Sequence, residues 1–228
     1  MSTLYLIPAR GGSKGIPSKN IKPFCGKPLI CHSIDNAWVF SDDELICLST
    51  DSEEIKKVAE DYGLKVPFLR PESLATDTAG SREVMLHALD YYREKGYDID
   101  RLVLLQPTSP LRTADDIKGC LDLYSDDIDM VVSVKEAATN PYYNAFEVDT
   151  DGYLHISKGA GTYTRRQDAP KVWEYNGAVY VINPKSLVEK PMGLFARRVM
   201  YPMPADRSVD LDTPTDWLIA EAIAHNRE

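Results

Sequence analysis

Thr3-Leu4-Tyr5-Leu6-Ile7-Pro8-Ala9-Arg10-Gly11-Gly12-Ser13-Lys14-Gly15-Ile16-Pro17-Ser18-Lys19-Asn20 decides how the rest of the chain is read. Its first five residues are a short apolar run rich in β-formers, the mark of a buried strand. Pro8 ends that strand, because proline has no backbone N–H to give a ladder. The stretch Ala9–Asn20 is too rich in glycine and too polar for a helix. A buried strand that empties into a glycine-rich, cationic loop suits an α/β sheet whose ligands bind at the carboxyl ends of its strands.

Working outward, the pattern alternates. A helix is expected from about Pro28 to Val39, then a strand at Leu45–Ser49. Asp51-Ser52-Glu53-Glu54 puts acids in the first turn of a helix running to Tyr62, with Gly63 at its carboxyl end. Val66–Leu69 reads as a third strand, Ser81–Lys95 as a helix ended by Gly96, and Arg101–Gln106 as a fourth strand. Ala114–Tyr124 reads as a helix and Met130–Val134 as a fifth strand. Short strands alternating with helices imply an α/β fold, a doubly wound and mostly parallel sheet with helices on both faces. The loops after Ile7 and after Gln106 then line one crevice. The rhythm changes after Val134. Asp151-Gly152, between Phe146–Val148 and Tyr153–Ile156, reads as a hairpin turn, and residues 135–175 as an insertion standing off the sheet. Ala178–Ile182 and Arg197–Tyr201 return as strands, and Thr213–His225 closes as a helix. Residues 1–228 are expected to form one domain carrying 135–175 as an arm.

The 228 residues carry a net charge of −9. That disfavours a nucleic-acid binder, whose affinity rests on clustered cations neutralising phosphates. No apolar run approaches the roughly 20 residues that span a bilayer, so no membrane partner is expected. Met1–Ile7 lacks the basic start and small-residue cleavage site of a signal peptide. Cys25, Cys31, Cys47 and Cys120 form no C-x-x-C pair. Neither a disulfide framework nor a zinc site is expected, and the reducing cytoplasm is the simplest compartment. The charge is unevenly spread. Met1 to Ile34 contains no Asp or Glu, yet holds Arg10, Lys14, Lys19, Lys22 and Lys27.

Glycine lets backbone N–H groups close on phosphate oxygens, and lysine and arginine neutralise the rest. The loop after Pro8 matches neither a Walker A sequence nor G-x-G-x-x-G. The competing reading is a flexible surface turn, and Arg10, Lys14 and Lys19 directly after a buried strand weigh against it. In Leu105-Gln106-Pro107-Thr108-Ser109-Pro110-Leu111-Arg112, two prolines keep the chain extended and hold Gln106 at a strand end. A neutral amide and hydroxyls suit a polyhydroxylated ligand. Thr108, Ser109 and Arg112 fit equally well as a rigid turn before a helix capped at Thr113. In Ser208-Val209-Asp210-Leu211-Asp212-Thr213-Pro214, alternation sets Asp210 and Asp212 on one side of an extended chain, about 6.6 Å apart along it. Two such carboxylates want a cation, and Mg²⁺ takes one or two carboxylates together with phosphate oxygens and waters. Asp212 or Thr213 also fits the N-cap of the closing helix, with Pro214 at its first position, whereas Asp210 has no such role. Arg70–Thr78 with Ser81, and Arg166-Gln167 with Asn176-Gly177-Ala178-Val179-Tyr180, fit helix caps or strand edges when taken alone. Tyr180 on an apolar strand also fits the core.

Taken in order along nearly the whole chain, Ile7–Asn20, Arg70–Thr78, Leu105–Arg112 and the Asp210-x-Asp212 pair resemble the CMP-sialic acid synthetases, the acylneuraminate cytidylyltransferases. The resemblance implies a nucleotide-diphospho-sugar transferase-like fold. It implies an enzyme that joins CTP to a nine-carbon 2-keto sugar acid and releases pyrophosphate. By motif, Arg10, Ser13, Lys14 and Lys19, with Gly11 beside them, would hold the triphosphate. Asn20, Arg70 and Ser81 would contact the cytidine, Gln106, Arg166 and Tyr180 the sugar acid, and Asp210 and Asp212 Mg²⁺. Arg10, Lys19 and Asp212 are the expected catalytic residues, with the proton of the anomeric hydroxyl passing to Asp212 or to a hydroxide on the metal. The resemblance also implies a homodimer whose arm reaches the partner's site, so that Arg166 serves the neighbouring subunit.

Two departures touch the acceptor. Family members can carry a lysine shortly after the proline of the arm, where this chain has Tyr143 and Asn144, and an arginine just before Asn-Gly-Ala, where it has Glu174. N-acetylneuraminate, its deaminated form KDN and legionaminate therefore all stay open. The run Asn140-Pro141-Tyr142-Tyr143-Asn144 looks more like the legionaminate or KDN branch. The alternatives are a cytidylyltransferase for another acid such as Kdo, and a nucleotide-binding module without catalysis, which would have no need of Gln106 and the paired aspartates.

Overall fold

The computed structural model describes every residue except Lys14, Asp77, Thr78 and Glu228. Strand β1 (Thr3–Pro8) leads through the glycine-rich loop to the two-residue strands β2 (Pro23–Phe24) and β3 (Lys27–Pro28), and then to α1 (Leu29–Trp38). Next come β4 (Ile46–Ser49), α2 (Glu53–Tyr62), α3 (Ser81–Glu94), β5 (Arg101–Leu104), α4 (Ala114–Asp122) and β6 (Met130–Glu136). A small hairpin of β7 (Phe146–Val148) and β8 (Leu154–Ile156) precedes the long strand β9 (Trp173–Ile182). The chain ends with α5 (Pro184–Glu189), β10 (Arg198–Pro202) and α6 (Pro214–His225).

Six strands form one sheet in the order β10-β6-β9-β5-β1-β4. β1 runs parallel to β4 and β5, and β10 parallel to β6. β9 alone is reversed, pairing antiparallel with both β5 and β6. The expected α/β fold with a mostly parallel sheet is therefore present. Alternation along β1 feeds two cores, as strands covered on both faces require. Tyr5 and Ile7 pack with Ile34 of α1, Ala59 of α2 and Ile117 of α4; Leu4 and Leu6 pack with Met85 and Leu89 of α3 and Leu187 of α5 on the other face.

One local expectation is corrected. Val66–Leu69 is not a strand but a single parallel bridge, Thr50 to Leu69, because Pro67 interrupts the run and has no N–H for a ladder. The glycine-rich loop runs into a 3₁₀ turn, Lys19–Ile21, and α1 begins at Leu29, one residue from the expected start at Pro28.

Two buried charges join distant elements. Arg112, 3% exposed, donates to the carbonyls of Gln106 (2.6 Å), Ser109 (3.1 Å) and Ala178 (3.3 Å) and to the Ser33 hydroxyl. It thereby fixes the loop after β5 to α1 and β9. Asp129, at the foot of β6, accepts from Ser186 Oγ (2.7 Å) and from the backbone N–H groups of Ala196 and Arg197 (2.9 Å each), with Lys190 3.4 Å away. The Arg197 amide, the Ser186 hydroxyl and their neighbours hold its carboxyl well below the usual range. A depressed folded-state pKa stabilises the fold above the unfolded value, near 4, and that contribution is lost as the pH falls below it. Asp129→Asn is expected to cost about 2 kcal/mol at neutral pH, because charge-assisted bonds of this kind are lost. Urea unfolding checks this, and the deficit should shrink as the pH is lowered from about 4 toward 2.

Candidate active site

β1 and β5 are neighbours in the sheet, so the loops leaving their carboxyl ends face one another. Between them lies a crevice with two lobes. The first, about 290 Å³, is lined by Arg10, Ser13, Gly15, Lys19, Asn20, Gln106, Thr108 and Asp212. The second, about 330 Å³, is lined by Arg70, Leu74, Thr76, Ala79, Ser81 and Val84. Pro8 and Arg10 line both lobes, so the two adjoin.

The loop is pinned at both ends. The Gly11 N–H donates to Asp51 Oδ1 (3.0 Å), so this amide is turned to a carboxylate at the start of the α2 segment. Asn20 is buried and its amide donates to the Arg10 carbonyl (3.0 Å). Gly15 lies so close to the C-terminal segment that an added Cβ would stand 2.1 Å from the Asp212 carbonyl oxygen. Lys19 sends its ammonium to the Leu211 carbonyl and sits 3.5 Å from Asp212 Oδ1. Lys14 lies outside the described residues.

In the second lobe Arg70 is 6% exposed and donates to the carbonyls of Ser49 and Leu74; among the described residues its buried Nε has no hydrogen-bond partner. Burial pulls its pKa down and Asp51 opposes this. Ser81, the first residue of α3, is exposed at the rim.

The acidic segment meets the loop from the other side. The Leu211 N–H donates to the Thr108 carbonyl (2.8 Å), and the Leu211 side chain is buried among Ile16, Leu29 and Trp217. Thr213 caps α6 in a reciprocal box with Asp216, and Pro214 is the first helical residue. Capping therefore falls to Thr213, and neither Asp210 nor Asp212 is needed for it. Asp212 is an exposed carboxylate beside Lys19. Asp210 turns inward: among the described residues, its buried Oδ1 has no hydrogen-bond partner. Burial raises its pKa, Asp212 and Asp216 raise it further, and the Thr108 hydroxyl and Lys19 act the other way. A buried carboxylate oxygen with an unmet demand for positive charge fits a cation. Among the described residues no three His, Cys, Asp or Glu side chains converge. A divalent ion here would complete its shell from a bound ligand, as Mg²⁺ commonly does with phosphates.

The remaining candidates divide. Gln106 lines the first lobe. Tyr180, on β9, is half-buried near Asp210 and Tyr175, and its hydroxyl is pushed up to about 12 by burial first and by Asp210 second. Arg166 lies away from the crevice walls. It is exposed on the segment between β8 and β9 and donates to the Ala137 (3.0 Å) and Ala138 carbonyls. Asp51 orders the loop through Gly11, a role that its place at a helix start does not announce in the sequence; its adjacency to the glycine loop becomes visible only through β1–β4 pairing.

Residues 4–223 match the family described as Cytidylyltransferase. The chain is 34% identical to the CMP-N,N'-diacetyllegionaminic acid synthase of Legionella pneumophila, covering 98% of this chain and 96% of that protein. It is 31% identical to the pseudaminic acid cytidylyltransferase of Campylobacter jejuni, covering 98% and 96%. It is 36% identical to the N-acylneuraminate cytidylyltransferase of Streptococcus agalactiae, over 96% of this chain but 52% of that longer protein. Among solved structures, CMP:2-keto-3-deoxy-manno-octonic acid synthetase complexed with CTP shares the fold with a TM-score of 0.71 at 17% identity, over the whole of both chains.

Because Gly15 has no room for a side chain, Gly15→Ala must push the loop off the Asp212 backbone. The expected result is faster hydrogen exchange at Leu211 and in the loop, by about tenfold or more, with the β1 amides unchanged, since local opening can occur without global unfolding. Exchange monitored by mass spectrometry reads this directly.

Proposed function

Because this chain belongs to the cytidylyltransferase family, we propose that it transfers a cytidylyl group from CTP to the anomeric hydroxyl of a nine-carbon 2-keto sugar acid. The single observation that carries the reading is the first lobe. There the cationic N-terminal loop closes against an acidic segment whose Asp210 has a buried oxygen without a hydrogen-bond partner among the described residues. The relatives' names, which specify legionaminic, pseudaminic and N-acylneuraminic acids, support the choice of acceptor.

In this reading the triphosphate lies along Arg10, Ser13 and Lys19, with Lys14 the loop's further cation, and the cytidine contacts Asn20 of the first lobe and Arg70 and Ser81 of the second. The acceptor enters beside Gln106 and Tyr180. Its anomeric oxygen forms the new bond to the α-phosphorus, the bond from the α-phosphorus to the bridging oxygen breaks, and pyrophosphate leaves. The hydroxyl proton passes to Asp212, the exposed carboxylate at the crevice. Arg10 and Lys19 neutralise charge on the transferring and leaving groups, the dominant contribution in phosphoryl chemistry and by extension here. Asp210 and Asp212 would hold Mg²⁺, which when bound polarises phosphoryl oxygens.

The same reading makes the chain a homodimer whose arm lies within residues 135–175. The β7–β8 hairpin leaves Phe146, Val148, Tyr153 and Leu154 more than half exposed, a large apolar surface for so small an element. Arg166 would then serve the neighbouring subunit's acceptor. Among the described residues no disulfide joins the four cysteines, and no helix is long and apolar enough to cross a membrane. A cytoplasmic location suits both.

Pyrophosphate release is the test. With CTP, Mg²⁺ and a panel of N-acetylneuraminate, KDN, legionaminate and pseudaminate, one acid should support turnover, and UTP, ATP or GTP should not replace CTP. Arg10→Ala should reduce kcat about 10²-fold or more, the scale of losing one transition-state donor. Near-normal turnover in that variant would remove Arg10 from the chemistry.

A further inference from the structure

Asn176 is 3% exposed, and both polar atoms of its side chain are engaged. Oδ1 accepts from Ser133 Oγ on β6 (2.6 Å) and from the Ala178 N–H (3.2 Å). Nδ2 donates to Ser208 Oγ (2.9 Å) and lies 3.2 Å from Met203 Sδ. Its backbone carbonyl accepts from Ser109 Oγ (3.5 Å). Ser208 is two residues before Asp210 in the chain, and Ser109 is three after Gln106. One buried side chain thus joins β6, β9 and the acidic segment, and its backbone meets the Gln106 loop.

The strand itself is distorted to make this possible. Between Val132 and Val134 of β6, the partner on β9 shifts from Tyr180 to Tyr175, so β9 spends five residue steps where β6 spends two. The slack carries Gly177 at φ +76°, a conformation that side chains disfavour. A Cβ at Gly177 would stand 3.4 Å from both Asp210 Oδ2 and Ser109 Oγ. Such bulges give up ladder pairing and re-aim what lies beside them. Here the bulge sets the acidic segment and the Gln106 loop against one wall.

We propose that Asn176 is a positioning residue: it sets where Asp210 stands relative to the Gln106 loop, and so how tightly a divalent cation is held beside the bound nucleotide. This rests on the reading of Asp210 as a cation ligand. Asn176 does not touch the substrates; it acts through the Ser208–Asp210 segment.

The experiment titrates enzyme into Mn²⁺–CTP and follows water-proton relaxation, which reports Mn²⁺ held on the protein. Thermal unfolding and steady-state kinetics are measured in parallel. Asn176→Ala should weaken Mn²⁺ retention and lower kcat, each about tenfold or more, the scale seen when a group orienting a metal ligand is removed. The KM for CTP should change less than Mn²⁺ retention, because Asn176 lines neither lobe of the crevice. Ser208→Ala, which removes one arm of the network, should shift both quantities the same way by less, and the double variant should add little to Asn176→Ala, as coupled residues do. Should Asn176→Ala fail to fold, Ser208→Ala decides. A lowered Tm with wild-type Mn²⁺ retention and kcat would make the role structural and overturn the proposal. Asp210→Asn separates the two layers. If it retains Mn²⁺ as the wild type does, the cation reading fails and the inference with it. If Asp210→Asn loses the ion while Asn176→Ala and Ser208→Ala keep it, only the inference fails.

Discussion

Lys19 and Gly15 press the N-terminal loop onto the backbone of Leu211 and Asp212, and the first lobe depends on that contact. Lys19 and Leu211 are 192 residues apart, so the cation-rich beginning of the chain and the acidic approach to α6 form one wall only in the folded protein. Neither side is comfortable alone. The segment from Met1 to Ile34 holds cations with no acids, and Asp210 is a carboxylate drawn into a dry position. Asp212 is exposed, so its ion pair with Lys19 is screened by water and worth no more than about 1 kcal/mol. The Lys19–Asp212 approach is therefore useful but insufficient to satisfy Asp210 as well. The site keeps a residual demand for positive charge beside a loop that attracts negative charge, and in the proposed reading a nucleotide triphosphate with its cation would meet both.

The sheet places this contact where chemistry can use it. β1 and β5 are adjacent and parallel, so their carboxyl ends open at the same edge, as ligand-binding α/β sheets require. The reversed strand β9 is less usual, and its direction matters. It enters the sheet at the same edge, so its first residues, with Asn176 and Gly177, fall beside the loops instead of at the opposite end. Arg112 then ties the loop after β5 to β9 through the Gln106, Ser109 and Ala178 carbonyls. Rigid scaffolding under irregular loops is how a site gains precision without regular structure of its own.

Much of this is legible in the sequence, for identifiable reasons. Thr3–Pro8, Ser52 with Gly63, and Thr213-Pro214 are local signals, and their strand, helix caps and helix start appear where local chemistry puts them. Val66–Leu69 reads as a strand because composition registers apolar residues before it registers the missing N–H of Pro67. The site is readable where a motif is contiguous, as in the loop and in Asp210-x-Asp212. Alternation puts both aspartates on one side, yet it says nothing of Asp210 turning inward under Thr108 while Asp212 stays in solvent. Asp51, Arg112 and Asn176 look like caps, turns or strand ends, because the partners that matter lie 40, 66 and 67 residues away on other elements. Long-range pairing of polar groups leaves no periodic trace in a single sequence.

The most direct test is a crystal of the protein with CTP and Mn²⁺, using the anomalous signal of manganese to locate the ion. The account predicts a peak within coordination distance of Asp210 Oδ1 and of the nucleotide's phosphates, with Lys19 turned toward the triphosphate. A nucleotide bound elsewhere, or a manganese ion with Asp210 outside its shell, would contradict it.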